Sequence, residues 1–103
     1  MKILASLRVI PVGTSSTSIS SYVAEAVRVL ERRNVKHVVT PFSTDVELSS
    51  LLELAEVVEE VVARLRFLGV SRVLVDVTVD FRFDKEVSLE RRVSSVGEKL
   101  GKS

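Results

Sequence analysis

Residues 72–80, Arg-Val-Leu-Val-Asp-Val-Thr-Val-Asp, carry the clearest strand pattern in the chain. Valine occupies every second position, and the positions between carry Leu74, Asp76 and Thr78. Because successive side chains of a β-strand point to opposite faces, this pattern predicts a strand with one apolar face and one mixed face.

A second segment, residues 2–10, alternates in the same way. One side carries Ile3, Ala5, Leu7 and Val9, and the other side carries Leu4, Ser6, Arg8 and Ile10. Pro11 and Gly13 then interrupt the pattern. We therefore expect a second strand whose apolar face continues the valine face of residues 72–80.

Two amphipathic segments lie between these strands. The first is predicted to start after an N-cap at Ser18 and to end near Asn34. The second starts at the S-x-x-E capping box of Ser50 and Glu53 and ends at Gly69. The predicted core side of this second helix consists of Leu51, Leu54, Ala55, Val58, Val62, Leu65 and Leu68.

The remaining segments complete a recognisable order. Residues 37–42 predict an edge strand, because Pro41 has no N–H for the middle of a sheet, and residues 43–47 predict a short returning strand. A last amphipathic segment, residues 88–100, predicts a terminal helix with Ser88 as its cap. The order is that of the ferredoxin-like fold. We expect one α+β domain over residues 1–103: a two-layer βαββαβ sandwich with an antiparallel four-stranded sheet and an extra C-terminal helix.

The sheet face opposite the helices is the more informative one. It would display Ser6, Arg8 and the polar residues of the last strand beside Leu4, Ile10 and Leu74. This mixture is too polar for a core and too apolar for a fully solvated surface, so we expect a ligand or partner to cover it.

Composition excludes several function classes. The absence of Cys rules out disulfides, thiolate metal sites and a catalytic thiol, and no cluster of His and carboxylates at ligand spacing predicts a metal site. A formal net charge of +1 argues against nucleic-acid binding, and no apolar run reaches the length of a membrane span. We expect a cytoplasmic protein, and the absence of Gln with a single Asn is a depletion often seen in heat-adapted organisms.

Several segments in order resemble a known family: residues 6–14 (SLRVIPVGT), 21–26 (SYVAEA), 43–47 (STDVE) and 80–85 (DFRFDK). They are similar to the small thiamine-binding, YkoF-type proteins. That resemblance implies a ferredoxin-like subunit, assembly into dimers and commonly tetramers, and sites near subunit interfaces for thiamine or its pyrimidine moiety. The sequence departs from the family pattern at Leu48, where Gly is usual, and near Val62, where many members carry His.

An aminopyrimidine needs a carboxylate or amide acceptor, a hydroxyl or backbone partner and an apolar surface to stack on. Ser43, Thr44 and Glu47 supply the polar groups, although Thr44 and Glu47 also fit a capping box. Arg8 and Ser6 face the uncovered side of the sheet, where Arg8 either holds a ligand phosphate or hydroxyl or pairs with Asp76 across the sheet. Phe81 is a candidate stacking surface, as are Phe42 and Phe83.

Catalytic alternatives find little support. Asp76 and Asp80 share a strand face but lie about 13 Å apart, too far to act on one bond, and His37 on an edge strand has no nucleophile motif nearby. The loop of residues 13–18 has one Gly and no Lys, so it is no P-loop. We therefore expect that the protein is not an enzyme and uses no cofactor. We expect a homo-oligomer that binds thiamine or hydroxymethylpyrimidine as a carrier, buffer or sensor. The alternative is a structural or regulatory interaction module that binds another small molecule or none.

Overall fold

The computed structural model describes residues 2–13, 19–84, 86 and 88–90. Its elements are β1 (Ile3–Val12), α1 (Ile19–Arg32), β2 (Lys36–Val39), β3 (Thr44–Leu48), α2 (Leu51–Phe67) and β4 (Arg72–Asp80). The strands form one sheet in the order β2-β3-β1-β4, with every neighbouring pair antiparallel. This topology confirms the predicted ferredoxin-like sandwich, with β2 at one edge and β4 at the other. The predicted Ser18 cap lies outside the described residues, as do residues 91–100, for which a terminal helix is predicted.

The two alternating strands pair along most of their length. β1 and β4 are in register from Leu4 opposite Asp80 to Val12 opposite Arg72. Residues directly opposite in an antiparallel pair share a face, so the β4 valines lie on the same face as Ala5 and its alternate neighbours. The helices cover this face, and its β1 side chains from Ile3 to Leu7 are at most 4% exposed.

The core lies between the sheet and the two helices. Val29 and Leu30 of α1 and Val57 of α2 are completely buried against the sheet. Two ion pairs lie outside this core: Arg64 Nε of α2 lies 2.9 Å from Glu25 Oε2 of α1, and Arg33 Nε, just after α1, lies 3.1 Å from Glu60 Oε2 of α2. Apolar burial therefore positions both helices on one sheet face, and the charged pairs link them at the surface.

Local signals mark the ends of α2. The Ser50 hydroxyl accepts from the Glu53 backbone N–H at 3.1 Å, as the capping box predicts. The Glu53 carboxylate reaches one residue further back than expected and accepts from the Ser49 backbone N–H at 2.8 Å. After the helix, Gly69 adopts φ +94°, a conformation that other residues reach only with strain.

The core side of α2 differs from the prediction. Leu54 and Leu65 are buried as expected, but Val57 and Val61 complete the buried stripe. The prediction that Leu51, Ala55 and Leu68 belong to the core was wrong, because all three are exposed, while Val58 and Val62 are half-buried. Apolar residues surround much of this helix, so two overlapping stripes satisfy helical spacing. The stripe with Val57 and Val61 is fully buried in the core, whereas Val58 of the other stripe packs only partly against it.

Candidate functional site: a notch at the end of the sheet

A difference in strand length creates a notch in the sheet. The β1–β3 ladder runs from Ile3 opposite Leu48 to Leu7 opposite Thr44, where β3 begins. β1 continues to Val12 and is paired on its other side with β4 throughout. Along residues 8–12 the described part of the chain places no strand on the β3 side. Alternate backbone N–H and C=O groups of β1 therefore face the notch, apart from the missing N–H of Pro11.

A cavity of about 340 Å³ occupies the notch. α1 contributes Val23 and Ala26, and the β2–β3 connection contributes residues from Val39 to Thr44. The floor is the free edge of β1 from Leu7 to Pro11, with residues of both sheet faces among its lining. The lining is predominantly apolar with a few polar groups at its rim, which is the usual construction of a small-molecule site.

The β2–β3 turn that borders the cavity is held by one threonine. The Thr40 hydroxyl accepts from the backbone N–H of Phe42 at 3.2 Å and of Ser43 at 3.0 Å. The Thr40 backbone N–H donates to the Ser43 carbonyl at 2.8 Å and closes the turn. The Ser43 hydroxyl donates to Asp45 Oδ1 at 2.8 Å. These bonds present Phe42, whose side chain is 83% exposed, as an uncovered aromatic surface beside the cavity.

Thr44 supplies the available polar group of the notch. The residue is only 7% exposed and lies on the helix side of the sheet, opposite Leu7. Its hydroxyl forms no hydrogen bond to any residue that the structure describes. No fully buried side-chain oxygen or nitrogen in the described ranges lacks a partner, so this oxygen remains accessible. Thr44 thus offers a donor and an acceptor to a molecule in the cavity.

The open sheet face holds a second group of the predicted residues. Arg8 stands opposite Asp76, and its Nη1 lies 3.9 Å from Asp76 Oδ2, so the cross-strand pair expected from the sequence is present. Both side chains are more than half exposed, and the pair contributes little stability. Ser6 stands between Asp45 and Thr78 on this face. Of the two residues predicted here, Arg8 also lines the notch and Ser6 does not.

Glu47 lies away from the notch, and its carboxylate already accepts two hydrogen bonds within the protein. It stands opposite Leu4 on the open face, three residues along β3 from Thr44. Lys2 Nζ donates to Oε2 at 3.1 Å, and the backbone N–H of Leu89 donates to Oε1 at 3.2 Å. The side chain is 3% exposed. Its position ties the segment of residues 88–90 to the sheet.

Phe81 lies beyond the end of β4, also outside the cavity. Its ring stacks on Phe83 with centroids 6.5 Å apart and ring planes 8° from parallel. Arg82, between them in the sequence, donates two hydrogen bonds of 2.9 Å to the Asp84 carboxylate. This hydrogen-bonded pair raises the pKa of Arg82. Because Asp80 pairs with Leu4, the two phenylalanines follow the end of the sheet that holds Glu47, not the notch.

Other titratable groups lie outside the notch. His37 is half-buried in β2, and its Nδ1 lies 2.8 Å from the Val35 carbonyl. At the Glu47 end, hydrogen bonds from its own backbone N–H and from Lys36 lower the pKa of Glu90. Within the described ranges no group of three or more His, Asp or Glu side chains is placed to hold a metal ion. No helix among the same residues is long and apolar enough to cross a bilayer.

Comparison with known proteins decides the family. A family model described as thiamine-binding protein matches residues 5–97. The chain belongs to this thiamine-binding family. A UPF0045 protein of Methanothermobacter thermautotrophicus is 41% identical over 98 residues, which cover 95% of this chain and 99% of that protein. The UPF0045 protein YqgV of Bacillus subtilis is 32% identical, with 94% of this chain and 96% of the relative covered.

Solved structures agree with the fold. A UPF0045 protein of Methanocaldococcus jannaschii superposes with a TM-score of 0.81 at 30% identity, covering 94% of this chain and 97% of that one. A Thermotoga maritima protein, provisionally assigned to thiamine biosynthesis or salvage, superposes with a TM-score of 0.75 at 22% identity, covering 93% and 99%. The second likeness supports the fold of this chain alone. Family membership gives the chain a thiamine-related role.

The predicted site residues thus divide between three places. Ser43, Thr44 and Arg8 line the notch, Ser6 lies on the open face, and Glu47 and Phe81 lie at the opposite end of the sheet. Sequence reasoning missed the apolar walls from α1 and the unpaired edge of β1. The only sequence signal for the notch was the Thr40-Pro41 pair before Phe42, which places a turn there.

Proposed function

We propose that this protein is a non-catalytic, homo-oligomeric binder of thiamine or a thiamine-related pyrimidine, and that the ligand binds in the notch. The observation that carries the proposal is the accessible Thr44 hydroxyl in a 340 Å³ cavity beside an unpaired strand edge. Membership of the thiamine-binding family supports the ligand class.

The notch complements an aminopyrimidine in chemistry. Such a ring presents an amino donor beside a ring-nitrogen acceptor, and an unpaired strand edge presents carbonyl and N–H groups in the same arrangement. Thr44 adds a hydroxyl that either donates or accepts. Phe42 and the apolar wall from Val23 and Ala26 offer stacking and packing surface. Binding through the strand edge makes a carboxylate unnecessary, which is compatible with a separate structural role for Glu47.

Arg8 extends this set toward a phosphate. Its side chain is 55% exposed, and its present partner Asp76 is 65% exposed. Because the ion pair is so open to solvent, Arg8 can exchange Asp76 for another anion at little cost. A phosphorylated ligand in the notch would therefore gain a charge-assisted contact from Arg8. This contact favours thiamine phosphate over unphosphorylated thiamine.

The proposal is tested with a Thr44→Val variant and a matched Thr78→Val control on the exposed open face. Calorimetric titration with thiamine, thiamine phosphate and hydroxymethylpyrimidine should show saturable binding to the wild type. Loss of one ligand hydrogen bond should weaken binding about three- to tenfold in Thr44→Val, and Thr78→Val should bind like the wild type. The ligand should be recovered chemically unchanged.

Two results would contradict ligand binding in the notch. One is the absence of binding by any of the three compounds at millimolar concentration. The other is equal weakening by the Thr44 and Thr78 substitutions, since that would separate the ligand from the notch. Conversion of the ligand during incubation would refute the non-catalytic role.

A further inference from the structure

The outward surface of α2 carries apolar residues beside two charged ones, and no other described element lines it. A shallow groove runs along it, and every described residue that lines the groove belongs to α2 itself. Phe67 at one end is 79% exposed. Glu59, Ala63 and Arg66 are also exposed, while Val58 and Val62 are half-buried. Of the groove residues, Val58 and Val62 are the two that helical spacing assigned to the core.

The groove has an internal symmetry that suits a second copy of the same helix. Its walls are two rows at four-residue spacing, one formed by Val58, Val62 and Arg66 and the other by Glu59, Ala63 and Phe67. A two-fold axis between positions 62 and 63 places an antiparallel copy so that each row of one helix faces the same row of the other. In that arrangement Val62 and Ala63 lie beside the partner's Val62 and the partner's Ala63 at the axis, and Glu59 and Arg66 lie near the centre line of the contact.

The same operation pairs opposite charges. Glu59 and Arg66 lie on one side of the helix, about 10 Å apart along its axis. Neither makes an ion pair with any residue in the part of the chain that the structure describes. Across the two-fold axis each Glu59 faces the partner's Arg66, so both pairs form together. The small side chain of Ala63 at the centre allows the helix axes to approach closely.

Phe67 is held in position by its neighbours. The Arg64 guanidinium lies 5.3 Å from the ring centroid, within cation–π distance. Arg64 is in turn fixed by its 2.9 Å bond to Glu25 of α1. An exposed aromatic side chain that is already ordered loses little entropy on binding, which is the usual property of an interface anchor.

We infer that two copies of this chain associate through antiparallel α2 helices across a two-fold axis between Val62 and Ala63. The inference specifies the contact surface of the proposed homo-oligomer and does not depend on which ligand binds. The notch lies elsewhere, between α1 and the β2–β3 turn, so ligand binding and assembly are separately measurable.

The test uses two charge-reversal variants. Glu59→Arg makes the contact surface doubly basic, and Arg66→Glu makes it doubly acidic. Each variant alone places like charges together twice across the axis, so its association constant should fall by about tenfold or more. In an equimolar mixture, a basic and an acidic subunit regain two opposite-charge pairs. Hetero-association should therefore exceed self-association of either variant by at least about tenfold.

Sedimentation equilibrium and native mass spectrometry of differently tagged chains measure these constants, with circular dichroism confirming that each variant is folded. Self-association as tight as that of the wild type in both variants would overturn the inference. Weakened self-association without preferential hetero-association would also overturn it, because the antiparallel pairing requires rescue. A monomeric wild type would do the same, while calorimetric titration of that monomer with thiamine would still test the notch.

Discussion

The carboxylate of Glu47 offers a quantitative test of how the open sheet face is organised. Its side chain is 3% exposed and accepts hydrogen bonds from Lys2 Nζ at 3.1 Å and from the Leu89 backbone N–H at 3.2 Å. Lys2 is 58% exposed, so that ion pair contributes at most about 1 kcal/mol. A backbone N–H bonded to a charged acceptor contributes about 1.5–3 kcal/mol. Glu47→Ala should therefore cost about 2–3 kcal/mol of unfolding free energy.

Urea denaturation followed by circular dichroism measures this cost, and a thermal melt should show a decrease of roughly 10–20 °C for a domain of this size. Glu47→Gln keeps an oxygen for the Leu89 N–H but loses the charge, so we expect a loss of about 1 kcal/mol. Glu31→Ala is the matched control, because Glu31 is exposed and forms no ion pair with a described residue; it should change stability by less than about 0.5 kcal/mol. If Glu47→Ala were as stable as Glu31→Ala but failed to bind thiamine, the anchoring role would be refuted.

Two further predictions concern the helices. Leu65→Ala removes a completely buried side chain of α2 and should lower the free energy of unfolding by about 2–5 kcal/mol. Leu52 is 69% exposed, so Leu52→Ala should lower it by less than about 0.5 kcal/mol. Equal losses in urea denaturation would contradict the orientation given for α2. The hydrogen bond and charge of Arg64 lower the pKa of Glu25 below its ordinary value of 4.5. The ionised Glu25 therefore stabilises the fold above pH 4.5, and this stabilisation is lost as the pH falls through the lowered pKa. Glu25→Gln should accordingly flatten the fall in unfolding free energy between neutral and acidic pH, and an unchanged pH dependence relative to the wild type would contradict this role.

The sequence predicted the sheet well because strand alternation is a local signal. The valines of β4 and the alternate residues of β1 could be assigned to faces without knowing the fold, since one buried face permits only one register of side chains. The Ser50 cap was also correct because its partner is three residues away. Features set by neighbouring residues were therefore predictable.

Features set by distant contacts were not predictable in the same way. Two overlapping apolar stripes on α2 satisfy helical spacing, and only packing against the sheet selects Val57 and Val61 over Ala55 and Val62. The partners of Glu47 lie 45 and 42 residues away along the chain, so its buried contacts left no local signal. The notch depends on the unequal lengths of β1 and β3, which no single segment reveals.

The central claim, that a thiamine-related ligand binds in the notch, is tested most directly by amide chemical-shift mapping. Backbone resonances of the labelled protein are recorded while thiamine, and in a second series thiamine phosphate, is added. Binding in the notch should give saturable shifts concentrated at residues 7–10 of β1 and at residues 39–44, which span the β2–β3 turn and its flanking strand ends. Shifts concentrated instead around Glu47 and Phe81, or no saturable shifts, would contradict it.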